Sequence, residues 1–270
     1  MDKKLHRFIS STVSYHNFQE AVDIASSLGC GIEISRFGKL SCIEENFEKN
    51  KKEYSSVLAD FDKEITLHGF FSNLNIASKD PLIKEVSIKR YYQSLELALE
   101  FGCSNVVFHT CYNNLLKHKQ YQDMFFLSNI EFYKEFIKNF EQSKITATIE
   151  NVHESDSSFI RNLVGAINSP SLGTTIDIGH CNLHSNIKVE DWILDYGIML
   201  KHMHFHNNYK TEDSHSSLLK GSIEIKPILK TLKELELYPK IVFEIFNKEE
   251  LIESVEYFNS LCDELGIEYC

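Results

Sequence analysis

The chain has few of the residues that interrupt order. Its 270 residues include only 4 Pro and 11 Gly, and none of it is low-complexity, which argues against a disordered chain. No apolar run approaches the roughly 18 residues that a spanning helix needs. The start, MDKKLHRFISSTVSYHN, lacks the apolar stretch and small-residue cleavage site of a signal peptide. The seven cysteines (Cys30, Cys42, Cys103, Cys111, Cys181, Cys262, Cys270) are odd in number and scattered, with no CxxC. They read as reduced, small buried hydrophobes, so a cytoplasmic chain with no membrane partner is expected. Basic charge is scarce as well. Against 39 Asp and Glu stand 28 Lys and Arg, a net charge of −11. Repulsion from phosphate backbones opposes nucleic-acid binding, unless basic groups gather locally or a metal cluster brings its own positive charge.

What is present is a regular alternation. Short β-rich runs precede longer helical patterns about eight times. The expected strands are Phe8 to Val13, Gly31 to Ser35, Glu64 to Phe70, Asn105 to His109, Ile145 to Glu150, Gly173 to Asp177, Leu200 to His206 and Lys240 to Phe246. Helices are expected over Asn17 to Leu28 (stopped by Gly29), about Cys42 to Phe61, and from Asp80-Pro81 to Gly102. Further helices follow within Tyr112 to Ser143, then near Ser157 to Ile167, Val189 to Met199, Ile223 to Leu235 and Glu249 to Leu265. In the third helix, Ile88, Tyr91, Tyr92, Leu95, Ala98 and Leu99 recur at helical spacing and predict one buried face. Phe132, Phe136 and Phe140 predict another.

Eight units of about 34 residues match a (β/α)8 barrel, one α/β domain over residues 1–270. A doubly wound open sheet is the competing reading. It usually carries a glycine-rich phosphate turn after its first strand, whereas this chain has SSTVSYHN there, so no nucleotide cofactor is expected.

The richest stretch is LKHMHFHNNYKTEDSH, Leu200 to His215. As a strand it turns His202, His204 and His206 to one face and Lys201, Met203 and Phe205 to the other. Imidazoles and carboxylates at short spacing are ligands for zinc, manganese or iron. The other strands agree at their C-terminal ends. These carry His68, His109, Glu150, Asp177 with His180 just beyond, His204 with Asp213 and His215 in its loop, and Glu244. In a barrel all these ends meet at one mouth, where catalysis occurs. Glu150 in ITATIE and Glu244 in IVFEIF lie in apolar runs, where a carboxylate is costly to bury unless paired or bound to a metal.

On these motifs (LHGFFSNLNIAS, VVFHT, TIEN, DIGHCNLH, HFHNNYKTEDSH and FEIF) nearly the whole chain resembles the xylose isomerase-like TIM-barrel superfamily. That superfamily holds sugar and sugar-phosphate isomerases and epimerases, and the zinc-dependent endonuclease IV class acting on apurinic/apyrimidinic DNA. The resemblance to the first branch implies one divalent metal (manganese, cobalt or zinc) held by Glu150, Asp177, His204 and Glu244. Glu150 and Glu244 would be the catalytic pair, exchanging protons with a sugar or sugar phosphate. His68, His109, His180, Asp213 and His215 would orient substrate or hold additional metal. The resemblance to the second branch implies three zinc ions on all nine positions, with Glu150 bridging two of them.

DIGH, the HFHNN…DSH pattern and a loop whose one lysine is Lys210 resemble the isomerase branch. Asn207 departs from it, standing where those relatives have aspartate. So does SSLLKGSI, with Gly221 as its one glycine in place of a glycine-rich stretch. That loop usually grips substrate. A barrel that binds a ligand without turning it over is the third reading. Many relatives are dimers or tetramers, so a homo-oligomer is also expected from the resemblance.

Overall fold

The structure, a computed structural model, describes residues 3–14, 17–38, 46–112 and 117–270. Eight parallel strands pair in sequence order and close into a barrel. They are β1 (His6–Ser10), β2 (Gly31–Ile34), β3 (Ile65–His68), β4 (Asn105–His109), β5 (Thr146–Glu150), β6 (Leu172–Asp177), β7 (Leu200–Phe205) and β8 (Lys240–Phe243). Around them run α1 (Phe18–Ser27), α2 (Phe47–Leu58), α3 (Pro81–Glu100), α4 (Lys119–Phe136) and α5 (Lys138–Glu141). The ring continues with α6 (Ser158–Ile167), α7 (Ile178–His184), α8 (Val189–Tyr196), α9 (Ile225–Glu234) and α10 (Lys248–Leu265). The expected barrel is therefore the observed fold. None of the described helices is long and apolar enough to cross a membrane.

Local chemistry sets the element ends. Asn17 and Asp80 cap α1 and α3, their side chains accepting from Glu20 N and Leu82 N. Gly29 and Gly102 follow these helices at φ of 65° and 64°, a left-handed turn that glycine adopts without cost. Outward strand residues fill the space beneath the helices. On β7, Met203 and Phe205 are fully buried, and Phe205 meets Phe258 of α10 edge to face at 5.7 Å. Tyr91, Phe108, Phe136 and Phe140 form an aromatic layer under α3, α4 and α5. Each ring contributes roughly 1.5–3 kcal/mol by leaving water.

The inside of the barrel is polar, where such barrels are usually filled by branched aliphatic side chains. Ser10, Glu33, Thr66, Thr148, Thr175 and His202 are all fully buried. They are joined by short contacts: Thr66 Oγ1 donates to Glu33 at 3.0 Å, Thr175 Oγ1 to Thr148 at 2.7 Å, and Ser10 shares a hydrogen bond with Ser35 at 2.9 Å. These hydrogen bonds offset part of the cost of burial, while Glu33 Oε1 and His202 Nε2 are left without a well-aligned partner.

Four expectations change. The first strand stops at Ser10, because Ser11–Ser14 forms a 3-10 turn in which Ser11 Oγ accepts from Ser35 N. The buried residues of α3 are Ser87, Tyr91, Ser94, Leu95, Leu97 and Ala98, leaving Tyr92 and Leu99 exposed at 44% and 55%. The buried set is not the most apolar one because its serines serve the neighbouring loop: Ser87 and Ser94 accept from Asn75 N and Phe70 N. A helix absent from the sequence reading, α7, starts directly on Asp177, whose side chain accepts from His180 N at 2.7 Å. Strand β8 ends at Phe243, which leaves Glu244 one residue beyond it. The expected start of the second helix at Cys42 lies outside the described residues.

Candidate metal centre

The barrel register gathers the candidate residues. His68, His109, Glu150 and Asp177 are the last residues of β3, β4, β5 and β6. His109 pairs with Glu150 across β4 and β5, and Asp177 with His204 across β6 and β7. Glu244 N donates to Phe205 O at 3.1 Å, which carries β8 one step further up the wall. His180 lies in α7, and Asp213 and His215 in the loop between β7 and α9.

All nine side chains converge, in three groups. His204 Nδ1 stands 3.4 Å from Glu150 Oε1, 3.7 Å from Asp177 Oδ2 and 3.6 Å from Glu244 Oε2. His68 Nε2 and His109 Nε2 are each 3.3 Å from Glu150 Oε2. Asp213 Oδ2 lies 3.3 Å from His180 Nε2 and 3.2 Å from His215 Nε2. Glu150 thus offers one oxygen to the first group and the other to the second. Ligands bound at about 2.0–2.2 Å around a tetrahedral ion stand roughly 3.4 Å apart, so these spacings fit a divalent ion. Two buried atoms aimed at the groups, His204 Nδ1 and Glu150 Oε2, make no well-aligned hydrogen bond in the protein. A mixed imidazole and carboxylate set suits zinc, manganese or cobalt.

Electrostatics tie the groups together. Burial would raise the Glu150 carboxyl, but His204 and His109 overcome it and hold it well below the usual range. Burial opposes ionised Asp177 in the same way, yet His180 and His206 bring it to about 2. His204 is lowered by burial and raised further by Glu150, Glu244 and Glu33, ending well above the ordinary imidazole value. His180 is pushed up by Asp177, Asp213 and Glu150 against its burial. His215, against its burial, is brought to about 9 by Asp213 and Glu244. In His109 burial wins, and the ring is shifted down. The carboxylates thus favour the protonated forms of His180, His204 and His215, and a divalent ion held here would displace those protons.

A cavity of about 490 Å³ opens over the groups. Phe71 stacks on His109 at 5.1 Å on one side, and Phe246 on His215 at 4.3 Å on another. An adjoining cavity of about 670 Å³ shares Phe71 and His109, and adds His153 and His184. Among the described residues lining the two there is no lysine or arginine.

The sequence reading missed three participants. Glu33 is fully buried against His202 and His204. His206, grouped with the strand's imidazoles, lies past the end of β7. There its Nε2 meets Asp177 at 3.0 and 3.1 Å, and its ring stacks on His215 at 3.9 Å. Asn207 holds the following loop. The signal for Glu33 was available: a carboxylate inside GIEIS is as anomalous as Glu150 in ITATIE.

Fold and site together define a closed (β/α)8 barrel with a histidine- and carboxylate-rich mouth. The chain belongs to the xylose isomerase-like TIM barrel family, whose family model matches residues 22–261. It is 27% identical over 216 residues to the uncharacterized protein MJ1311 of Methanocaldococcus jannaschii, covering 77% of this chain and 73% of that one. It superposes on a D-tagatose 3-epimerase-like protein with a TM-score of 0.81 at 23% identity, over 97% of this chain and 98% of that one. It also superposes on D-psicose 3-epimerase from Clostridium cellulolyticum H10 with D-tagatose. There the TM-score is 0.77 at 14% identity, over 98% and 100% of the two chains. At these identities the superpositions show a shared fold.

Proposed function

We propose that this chain is a divalent-metal-dependent isomerase or epimerase of a small sugar or sugar phosphate. We take it as one barrel domain working in the cytoplasm. Glu150, Asp177, His204 and Glu244 would hold the ion. The observation that carries the reading is the approach of two glutamates, from β5 and from the end of β8, to within 3.4 and 3.6 Å of one imidazole nitrogen under the cavity. A divalent ion there would polarise a carbonyl and stabilise negative charge on its oxygen. Glu150 is held ionised, the form a base needs to remove a proton beside that carbonyl. Glu244 lines the same cavity and would return a proton from the other side. His180, Asp213 and His215 present hydrogen-bonding atoms to substrate hydroxyls, while Phe71 and Phe246 offer apolar faces to its C–H groups. The cavity falls in the roughly 300–1,000 Å³ range of small-molecule sites. The likeness to the two epimerase-named structures supports the same reading.

The test is solvent-deuterium exchange. Metal-reconstituted protein is incubated in D2O with a panel of ketoses and their phosphate esters, and deuterium next to the carbonyl is read by NMR. Exchange with epimer formation is expected for at least one sugar. No exchange with any of them would overturn the proposal.

One observation favours a second reading, a three-metal hydrolase of abasic sites. A single-ion isomerase leaves the His68–His109 pair and the His180–Asp213–His215 group without an ion. Elemental analysis separates the readings, with about one ion per chain for the first and about three zinc ions for the second. Incision of an abasic duplex would confirm the hydrolase. Metal and sugar binding without turnover would instead mark a ligand-binding barrel.

A further inference from the structure

A dry layer lies beneath the four-ligand group. Glu33 projects from β2 into the barrel interior, and its carboxylate touches both inward imidazoles of β7. Oε2 is 2.9 Å from His202 Nε2, and Oε1 is 3.0 Å from His204 Nε2. Thr66 Oγ1 of β3 donates to Oε2 at 3.0 Å. The two rings stand edge to face at 5.3 Å. Glu33, His202 and His204 are fully buried, and Glu33 lines neither cavity described above. Substrate has no route to it.

A neutral imidazole carries one hydrogen, and a partner at one nitrogen decides which atom bears it. The Glu33–His204 approach is off the line of a hydrogen bond, yet a carboxylate oxygen 3.0 Å from Nε2 still favours the hydrogen there by charge, and the opposite nitrogen, Nδ1, faces Glu150, Asp177 and Glu244. An ionised carboxylate is costly to bury, and a well-packed aliphatic side chain is often no less stable in its place. The expense is explained if the imidazole it touches must present one particular nitrogen.

We propose that Glu33 is a positioning residue of the metal centre. It fixes the tautomer and ring orientation of His204 from below, and Thr66 and His202 hold it in place. The inference rests on the metal reading above. It adds a contact that the strand-end ligands do not contain.

The experiment measures zinc affinity by competition with a chromophoric chelator, for the wild type and for Glu33→Gln, Glu33→Asp and Thr66→Val. Thermal melts and circular dichroism of the metal-free proteins run alongside. The amide of Glu33→Gln can donate to His204 Nε2 and move the ring hydrogen to Nδ1. Zinc affinity is therefore expected to fall by roughly 10- to 100-fold while the metal-free fold persists. Glu33→Asp keeps the charge but withdraws it from the ring, and Thr66→Val only frees the carboxylate, so both should weaken zinc by less. Nitrogen-15 spectra of the zinc-loaded wild type should show His204 protonated at Nε2 and bound at Nδ1, a signature that a purely structural role would not require.

Equal zinc affinity and an unchanged His204 tautomer in Glu33→Gln would overturn the proposal. If that variant fails to fold, the other two carry the same test. A wild type that binds no zinc, manganese or cobalt would overturn the metal reading first, and this inference with it.

Discussion

Asn207 and Gly221 are fitted to each other: a Cβ on Gly221 would overlap Asn207 Oδ1. That oxygen accepts from Asn208 N at 2.9 Å and Ile223 N at 3.0 Å, while Nδ2 donates to Leu218 O at 3.0 Å and Ile223 O at 3.1 Å. One amide thus fills its donor and acceptor capacity in closing residues 207–223, which a carboxylate cannot do. Asn207→Asp would turn a buried charge onto two carbonyls and should cost about 1–3 kcal/mol or more. Gly221→Ala should destabilise by forcing the loop off the amide. Urea midpoints check both, and midpoints equal to the wild type would show that the loop does not depend on this contact.

The three ligand groups predict separable losses of metal. His204→Ala removes the nitrogen at the heart of the four-ligand group and should lose the ion there. His109→Ala should leave that ion in place, removing at most the neighbouring one, about one per chain. Elemental analysis of dialysed protein decides it. Complete metal loss in both variants would mean that the groups bind as one unit.

Glu244 is expected to be needed for turnover and not for folding. It is 7% exposed in the lining of the cavity and lies one residue past the end of β8, so its side chain is not part of the barrel's packed interior. Glu244→Gln keeps the shape and removes the proton-carrying group. Turnover of the sugar found in the exchange assay should drop by roughly 10²–10⁴-fold, with the thermal midpoint little changed. Near-normal turnover would remove Glu244 from the mechanism.

Glu154 predicts a pH effect away from the ligands. Burial raises its pKa, against hydrogen bonds from Thr110 and from the backbone N–H groups of Val152 and His153. A carboxyl raised in the folded state stabilises the fold while protonated. That contribution is complete below the unfolded value of about 4.3 and is lost as pH rises through the higher folded value. Glu154→Gln keeps the neutral shape and should gain on the wild type as pH rises above the unfolded value of about 4.3. Urea midpoints across that rise test it; a constant difference would show that Glu154 does not titrate there.

Much of this architecture was legible because barrel units repeat a simple alternation. Strand ends could be located within a few residues, and the strand-end residues formed the cluster. Glu33 is not a strand-end residue: it sits one layer lower, inside β2, so the pattern of strand ends does not pick it out. The face of α3 was misjudged because the helix spends two buried positions on serines that serve a loop, a demand invisible to hydrophobic periodicity. Helix α7 was missed because seven residues containing a glycine and two histidines give no apolar pattern; its cap is itself a site residue. Asn207 read as a departure until the loop it closes was seen.

Asp177 divides its two oxygens between architecture and chemistry. Oδ1 caps α7 through His180 N, and Oδ2 faces His204. Two members of the cluster are therefore spaced by the pitch of one helical turn. Their separation is settled when the chain folds, so little ordering remains to be done when an ion arrives. The same economy makes the position unforgiving: a replacement must serve as anion and as helix cap together, and of the common side chains only aspartate has both the charge and the reach.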